Sequence, residues 1–306
     1  KMRDSSNAMS ESLKAQAGQL KREFTKALWE LSAHKEKLVQ ERIVLKENLD
    51  WIENNLKITN RLYSTGKVPQ QAVLDIQIRK SELASLIEQN RYAIESVKYQ
   101  IAALLDFKKP VELNLKTVPW GTLNKWKTAL SDEDYREQAI KQELQASDLK
   151  LSAQNRNIIP DVTVGISYTK RNNIDGLGDF VGASISIPLP SSDKRYAQKR
   201  EAVQEKLSAE KRYRHYLNTK PNTLKEIELQ ILDLENQLMI LKKQTIKFAK
   251  SSRDVTAKSY SRGGADYLEL LRAELQYQNQ LMKEITLIAK VKTKKIEYLY
   301  INGSKL

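Results

Sequence analysis

A chain of 306 residues could fill two ordinary domains, but 10 glycines, 7 prolines and 4 phenylalanines are too few turn and core residues for compact α/β packing. The net charge of +14 arises from 52 basic residues dispersed among 38 acidic ones, a pattern commoner for solvated helix faces than for a surface that binds nucleic acid or anionic lipid, and charge alone does not separate these. The lack of cysteine excludes disulfides and thiolate metal sites, and no run approaches the roughly 18 apolar residues of a membrane-spanning helix.

Ser10 to Leu62 has a helical pattern, with a seam clearest at Leu45, Leu49, Ile52, Leu56, Thr59 and Tyr63. At ~1.5 Å per residue such a helix is on the order of 80 Å long and needs neighbours along its length. The break at Tyr63-Ser-Thr-Gly-Lys-Val-Pro69 places Gly66 where a left-handed cap is required and Pro69 where a new helix starts. The next helix, about Gln70 to Asp106, carries the four-three stripe Leu83, Ile87, Asn90, Ile94, Val97, Ile101 and Leu104. Residues 1–106 therefore read as a helical hairpin with its tip near 63–69.

Residues 107–130 read as a connector, interrupted by Pro110, Pro119 and Gly121, with strand-like alternation over Val111-Glu-Leu-Asn-Leu115. Trp120 and Trp126 read as anchors that hold it to a helix. Ser131 followed by Asp134 is a capping pattern, opening a helix from Asp132 to about Asn155 within 131–159.

After Pro160 the period changes to two. Val162, Val164, Ile166 and Tyr168 alternate with Thr163, Gly165, Ser167 and Thr169; beyond a polar turn, Val181, Ala183, Ile185 and Ile187 alternate with small residues. Residues 160–190 form a β-hairpin with one apolar face and one face of threonine, serine and glycine, Phe180 excepted. A lone hairpin is scarcely stable in water. Such faces suit a transmembrane barrel strand or a hairpin resting on a helix, and alternation alone does not separate the two.

Residues 191–306 return to helix. Tyr196 to Asn218 is followed by Pro221, expected to interrupt or kink the helix. A heptad arm then runs through Ile227, Ile231, Leu234, Leu238, Leu241, Thr245 and Phe248. A break at Tyr260-Ser-Arg-Gly-Gly-Ala-Asp266 leads to a return arm through Leu268, Leu271, Leu275, Gln278, Met282, Ile285, Ala289, Lys292, Ile296 and Leu299. Its two polar positions, Gln278 and Lys292, point to a partly wetted interior. Tyr63-Ser-Thr-Gly66 matches Tyr260-Ser-Arg-Gly263, so the chain reads as two repeats of a long helical hairpin. The expected fold class is mainly α: two antiparallel coiled-coil hairpin repeats plus a small β-hairpin.

Catalysis finds no support: there is no Ser/His/Asp set, phosphate-binding glycine loop or metal cluster, and no cofactor is implied. His34 and His215 read as helix-surface residues.

Ile159-Pro-Asp-Val-Thr-Val-Gly-Ile-Ser-Tyr168, Gly182-Ala-Ser-Ile-Ser-Ile-Pro-Leu-Pro190 and Tyr260-x-x-Gly263 with Leu268-Glu-Leu-Leu-Arg-Ala273 resemble the TolC-like outer-membrane efflux family over nearly the whole chain. The Ile187-Pro-Leu-Pro190 and Asp193-Lys-Arg195 junction is similar to its heavy-metal branch. The resemblance implies a homotrimer that joins a β-barrel in outer-membrane lipid to a helical tunnel in the periplasm. Partners would be a periplasmic adaptor, or membrane fusion protein, and an inner-membrane transporter. It further implies that the Tyr-x-x-Gly turns are periplasmic tips, with Tyr63, Gly66, Tyr260, Arg262, Gly263, Asp266, Glu269 and Arg272 at the tip and gate. Glu269 falls on the first of the family's acidic tunnel-mouth positions and Arg272 on the second, a departure that changes the ring's charge.

The family has a strand hairpin in each half and only one is found here, so an N-terminal helix and first hairpin are expected to be missing by trimming or processing. Three copies of one hairpin supply six strands, too few for a tunnel-sized barrel. Alternatives are a periplasmic adaptor, which has one long hairpin between β-rich domains, and a basic coiled-coil scaffold. The cargo is not encoded in any of these features.

Overall fold

The computed structural model describes residues 2–110, 120–157, 162–170, 178–187 and 193–305. The extended segment expected over 111–115, the Pro160 stop, most of the turn between the strands and the Pro188–Pro190 exit lie outside the described residues. The elements in chain order are α1 (Met2–Ser64), α2 (Gln70–Leu104), α3 (Trp120–Leu123), a 3-10 turn (Trp126–Thr128), α4 (Tyr135–Asn157), β1 (Thr163–Thr169), β2 (Phe180–Ser186), α5 (Asp193–Ile240), a π turn (Leu241–Thr245), α6 (Ile246–Ser261) and α7 (Tyr267–Asn302). They form two compact units, Lys1–Gln19 with Asp134–Thr219, and Leu20–Glu133 with Lys220–Leu306.

In the larger unit α1 and α2 pack antiparallel. Leu38 meets Ile94, Val97 and Ile101, while Leu45 and Ile52 meet Ile76 and Leu83, so positions rising along α1 oppose positions falling along α2. Each fully enclosed aliphatic side chain contributes ~1.5–3 kcal/mol of burial. Ile227 and Ile231 of α5 pack with Ile296 and Leu299 of α7, Trp29 of α1, Leu123 and Trp126. Trp126 sets its ring edge-on to Tyr298 at 4.8 Å, and Trp120 packs on the same cluster; the two tryptophans thus anchor this segment to the helices.

The seam departs from strict heptads at three places. In α1 the last buried position is Leu62, with Tyr63 exposed. Past Leu241 the next buried residue is Ala249, and Phe248 is 72% exposed. The π turn Leu241–Thr245 is the reason: its wider winding takes up one extra residue and moves every later position around the helix by one. In α7 the buried set begins at Leu270, Ala273 and Glu274 instead of Leu268 and Leu275, which are exposed. The start of α7 packs against both Leu62 and Tyr260, so its inward face is fixed by two neighbours and not by one seam.

The two polar positions of the return arm are met by protein groups. Gln278 accepts a hydrogen bond from Arg79, and Lys292 donates to Glu36 at 2.6 Å while lying 4.5 Å from the centre of the Trp120 ring. Three expectations about helix ends are corrected. Helix α1 begins at Met2, ahead of Ser10. The capping residue of α4 is Asp134, whose Oδ1 accepts from the Glu137 amide at 3.0 Å, whereas Ser131 donates to the Asn302 carbonyl. Helix α5 runs uninterrupted through Pro221; the ring removes one intrahelical donor, and forty-eight residues of continuous helix absorb that loss.

The smaller unit is built on alanine. Ala8 and Ala15 of α1, Ala139, Ala146 and Ala153 of α4, and Ala202 and Ala209 of α5 are all buried and each set is spaced by seven. Small side chains let helix backbones approach closely, and two hydroxyls exploit this: Ser5 donates to the Ala146 carbonyl at 2.9 Å and Ser12 to the Ala139 carbonyl at 3.1 Å. At Gly18 a Cβ would stand 2.9 Å from the Tyr135 ring, so glycine there is a matter of space.

Candidate functional site

The residues singled out by sequence fall into two places: the helix turns of the larger unit and the strand pair of the smaller one. Both turns end their helix in the same way. Gly66 donates to the Tyr63 carbonyl (2.8 Å) and Lys67 to Leu62 (2.9 Å); Gly263 donates to Tyr260 (2.9 Å) and Gly264 to Ser259 (3.0 Å). These are Schellman caps, and their pivot residues sit at φ +70° and +79°, conformations that favour glycine. The following helices start from Pro69 and Asp266, both extended.

The turns lie side by side. Leu62, Tyr260 and Leu270 form a buried cluster with Trp51, Ile58, Val68, Ala257, Ala265 and Tyr267 around it. Tyr260 is 1% exposed, and its hydroxyl is 2.9 Å from the Thr59 hydroxyl, which itself donates to the Asn55 carbonyl. Thr59 therefore accepts the Tyr260 proton. Burial pushes the Tyr260 phenol up, so it keeps that proton at all ordinary pH. Tyr63, its counterpart in sequence, is exposed at 44%. Arg262, Asp266, Glu269 and Arg272 are exposed around the second turn. The structure thus brings the two turns together but separates their residues by role: one tyrosine locks helices, and four charged groups face outward.

Tyr260→Phe should cost ~0.5–1.5 kcal/mol, the worth of one net hydrogen bond, and Tyr63→Phe close to nothing. Urea unfolding of the two variants checks this, and equal losses would contradict the lock.

The strands pair antiparallel with Val164 opposite Ile185, Ile166 opposite Ala183 and Tyr168 opposite Val181. All six of these are exposed, Ile166 at 81%; Val162 and Ile187, just outside the paired segment, are exposed at 57% each. Nothing among the described residues covers this apolar face. Gly165 and Gly182 occupy the other face, and a Cβ on either would meet the Ser184 or Ser167 Oγ at 2.7 or 2.9 Å. That face is therefore small because the cross-strand serines occupy the space.

Among the described residues no group of histidine, aspartate and glutamate could hold a metal ion; His34 and His215 are exposed on their helices. Likewise no helix among the described residues is long and apolar enough to cross a membrane.

No family model matches the chain, and no curated relative matches it. Solved structures do. The outer-membrane channel OprN is 18% identical and matches over 99% of this chain and 71% of its own, with a TM-score of 0.81. The outer membrane protein VceC of Vibrio cholerae is 14% identical over 98% of this chain and 74% of its own, at 0.79. CusC, described for its transmembrane channel formation, is 12% identical over 99% of this chain and 73% of its own, at 0.80. The chain shares the fold of these outer-membrane channels.

Proposed function

We propose that this chain is the outer-membrane channel component of a tripartite efflux or type I secretion system, passing substrate from the periplasm or an inner-membrane pump to the exterior without catalysis. The observation that carries the reading is the strand pair: in a chain with the fold of outer-membrane channels, β1 and β2 leave an entire apolar face exposed. Lipid is the medium in which such a face is at rest, provided that strands from further segments or copies close a barrel and leave no edge unpaired. Three copies would assemble the tunnel, and a barrel of matching width would need strands beyond the six that this hairpin supplies. Within each copy, the helical hairpins of residues 1–106 and 191–306, two repeats joined by the connector 107–130, the helix 131–159 and the strand hairpin 160–190, would line the periplasmic part.

The turns around Gly66 and Gly263 would be the tips that meet the adaptor, which in turn links to an inner-membrane transporter. Their pairing through Thr59 and Tyr260 supports that placement, since it holds both tips at one level. Arg262, Asp266, Glu269 and Arg272 would form the charged mouth. The periplasmic-adaptor alternative has no counterpart among OprN, VceC and CusC, two described as outer-membrane proteins and one for transmembrane channel formation.

Light scattering in detergent and in plain buffer tests the reading. A detergent-dependent trimer is expected; a monomer or dimer indifferent to detergent would overturn it. At the mouth, Glu269→Ala should raise single-channel conductance and weaken any preference for cations, because the charge nearest the constriction is removed. Unchanged conductance would take Glu269 out of the gate.

A further inference from the structure

Where four helices of the larger unit meet, a carboxyl group is enclosed without a hydrogen bond. Glu274 of α7 is 1% exposed, and neither of its oxygens has a hydrogen-bond partner among the described residues. Two arginines face it, and both are engaged elsewhere. Arg253 of α6 brings Nη1 to 3.7 Å from Oε2, beyond hydrogen-bond length, while its guanidinium binds Asp254 at 3.0 Å and lies over the rings of Tyr277 (4.3 Å) and Trp51 (5.6 Å). Arg79 of α2 donates to Glu82 at 2.9 Å and to Gln278, and its Nε is buried without a partner.

The charged and titratable groups facing the junction are Arg79 of α2, Arg253 and Asp254 of α6, Tyr277 of α7 and Glu47 of α1, which acts on Tyr277. Closed in this way, the packing suits a neutral carboxylic acid better than a carboxylate. A carboxylate in a poorly hydrated site needs several donors, and here none among the described residues lies within hydrogen-bond length of either oxygen.

We propose that Glu274 makes this four-helix junction a proton-sensitive joint: with the carboxyl neutral α2, α6 and α7 stay packed on α1, and with it ionised the junction loosens, because the charge demands donors that the closed packing does not supply. The inference concerns helix packing alone and stands whether or not the chain forms a channel. Burial is the largest influence on this carboxyl, ahead of the two arginines, and holds its pKa up at about 7 against an ordinary 4.5. Between those values the folded state keeps a proton that the unfolded chain has released. Stability from this group is therefore full below pH 4.5 and is lost as the pH rises through about 7.

Glu274→Gln keeps the shape and stays neutral. In thermal unfolding of the purified chain, the variant should melt on the order of 5 °C above the wild type at about pH 8, and the gap should close toward about pH 5. A second readout acts on the wild type alone: the infrared band of a protonated carboxyl, shifted by isotope-labelled glutamate, should persist to near neutral pH and fade with a midpoint near 7. Parallel melting profiles, or a glutamic acid band already gone at about pH 6, would overturn the proposal. If the variant fails to fold, the wild-type titration still decides.

Discussion

Leu270→Ala is expected to lower stability by ~2–5 kcal/mol, whereas Leu268→Ala two residues earlier should change it by less than ~1 kcal/mol. Leu270 is wholly enclosed between Leu62 and Tyr260, where the two helix turns meet; Leu268 is 53% exposed. Truncating the first removes burial and leaves a cavity whose walls are held by two capped turns, so little collapse can repair it. Truncating the second gives up a half-wetted contact. Because strict heptads place Leu268 in the seam, the pair of variants discriminates between the register seen here and the register that spacing alone predicts. Denaturant unfolding of both measures it, and losses of similar size would mean that α7 is rotated from the orientation described.

The second large effect depends on the solvent. Ile166→Arg should be nearly neutral for the chain in water, since the side chain it replaces is 81% exposed and opposite only Ala183. In lipid vesicles the same change should cost ~2–4 kcal/mol per copy if β1 lies near the bilayer midplane. Thr163→Lys, on the opposite face and paired with Ser186, should cost little in either medium. The quantity of interest is the difference between the two media, obtained by unfolding each variant in buffer and after reconstitution. An arginine that costs the same in both would place the apolar face against protein instead of lipid.

Much of the helical framework is legible in the amino-acid order because it rests on short-range rules. Leu83, Asn90, Val97 and Ile101 lie on one face through spacing alone, and Gly66 can be identified as a cap because few other residues tolerate its backbone angle. The strand alternation from Val164 to Tyr168 is equally local. What escapes the sequence depends on neighbours distant in the chain. The π turn after Ile240 has no residue signature, yet it exchanges Phe248 for Ala249. Tyr63 and Tyr260 sit in matching motifs, and only neighbours distant in the chain, Leu62, Leu270 and the Thr59 hydroxyl around Tyr260, distinguish the buried one. Glu274 reads as one more surface charge on a helix until α2 and α6 close over it. The alanines at 139, 146 and 153 carry a heptad signal too, one hidden because large apolar residues are the usual marker of a seam.

That alanine spacing has a consequence for how the chain tolerates change. A contact made of methyl groups and backbone has almost nothing to lose by truncation and no room for growth. Around Ala146 and Ala209 every natural replacement except glycine is larger, so the smaller unit resists almost any substitution at its core, while the leucine and isoleucine core of the larger unit can exchange one aliphatic shape for another. Along the single helix α1, sequence drift should therefore be narrow at Ala8 and Ala15 and broad at Leu38 and Leu45, a gradient set by how closely the backbones lie and unrelated to any chemistry the residues perform.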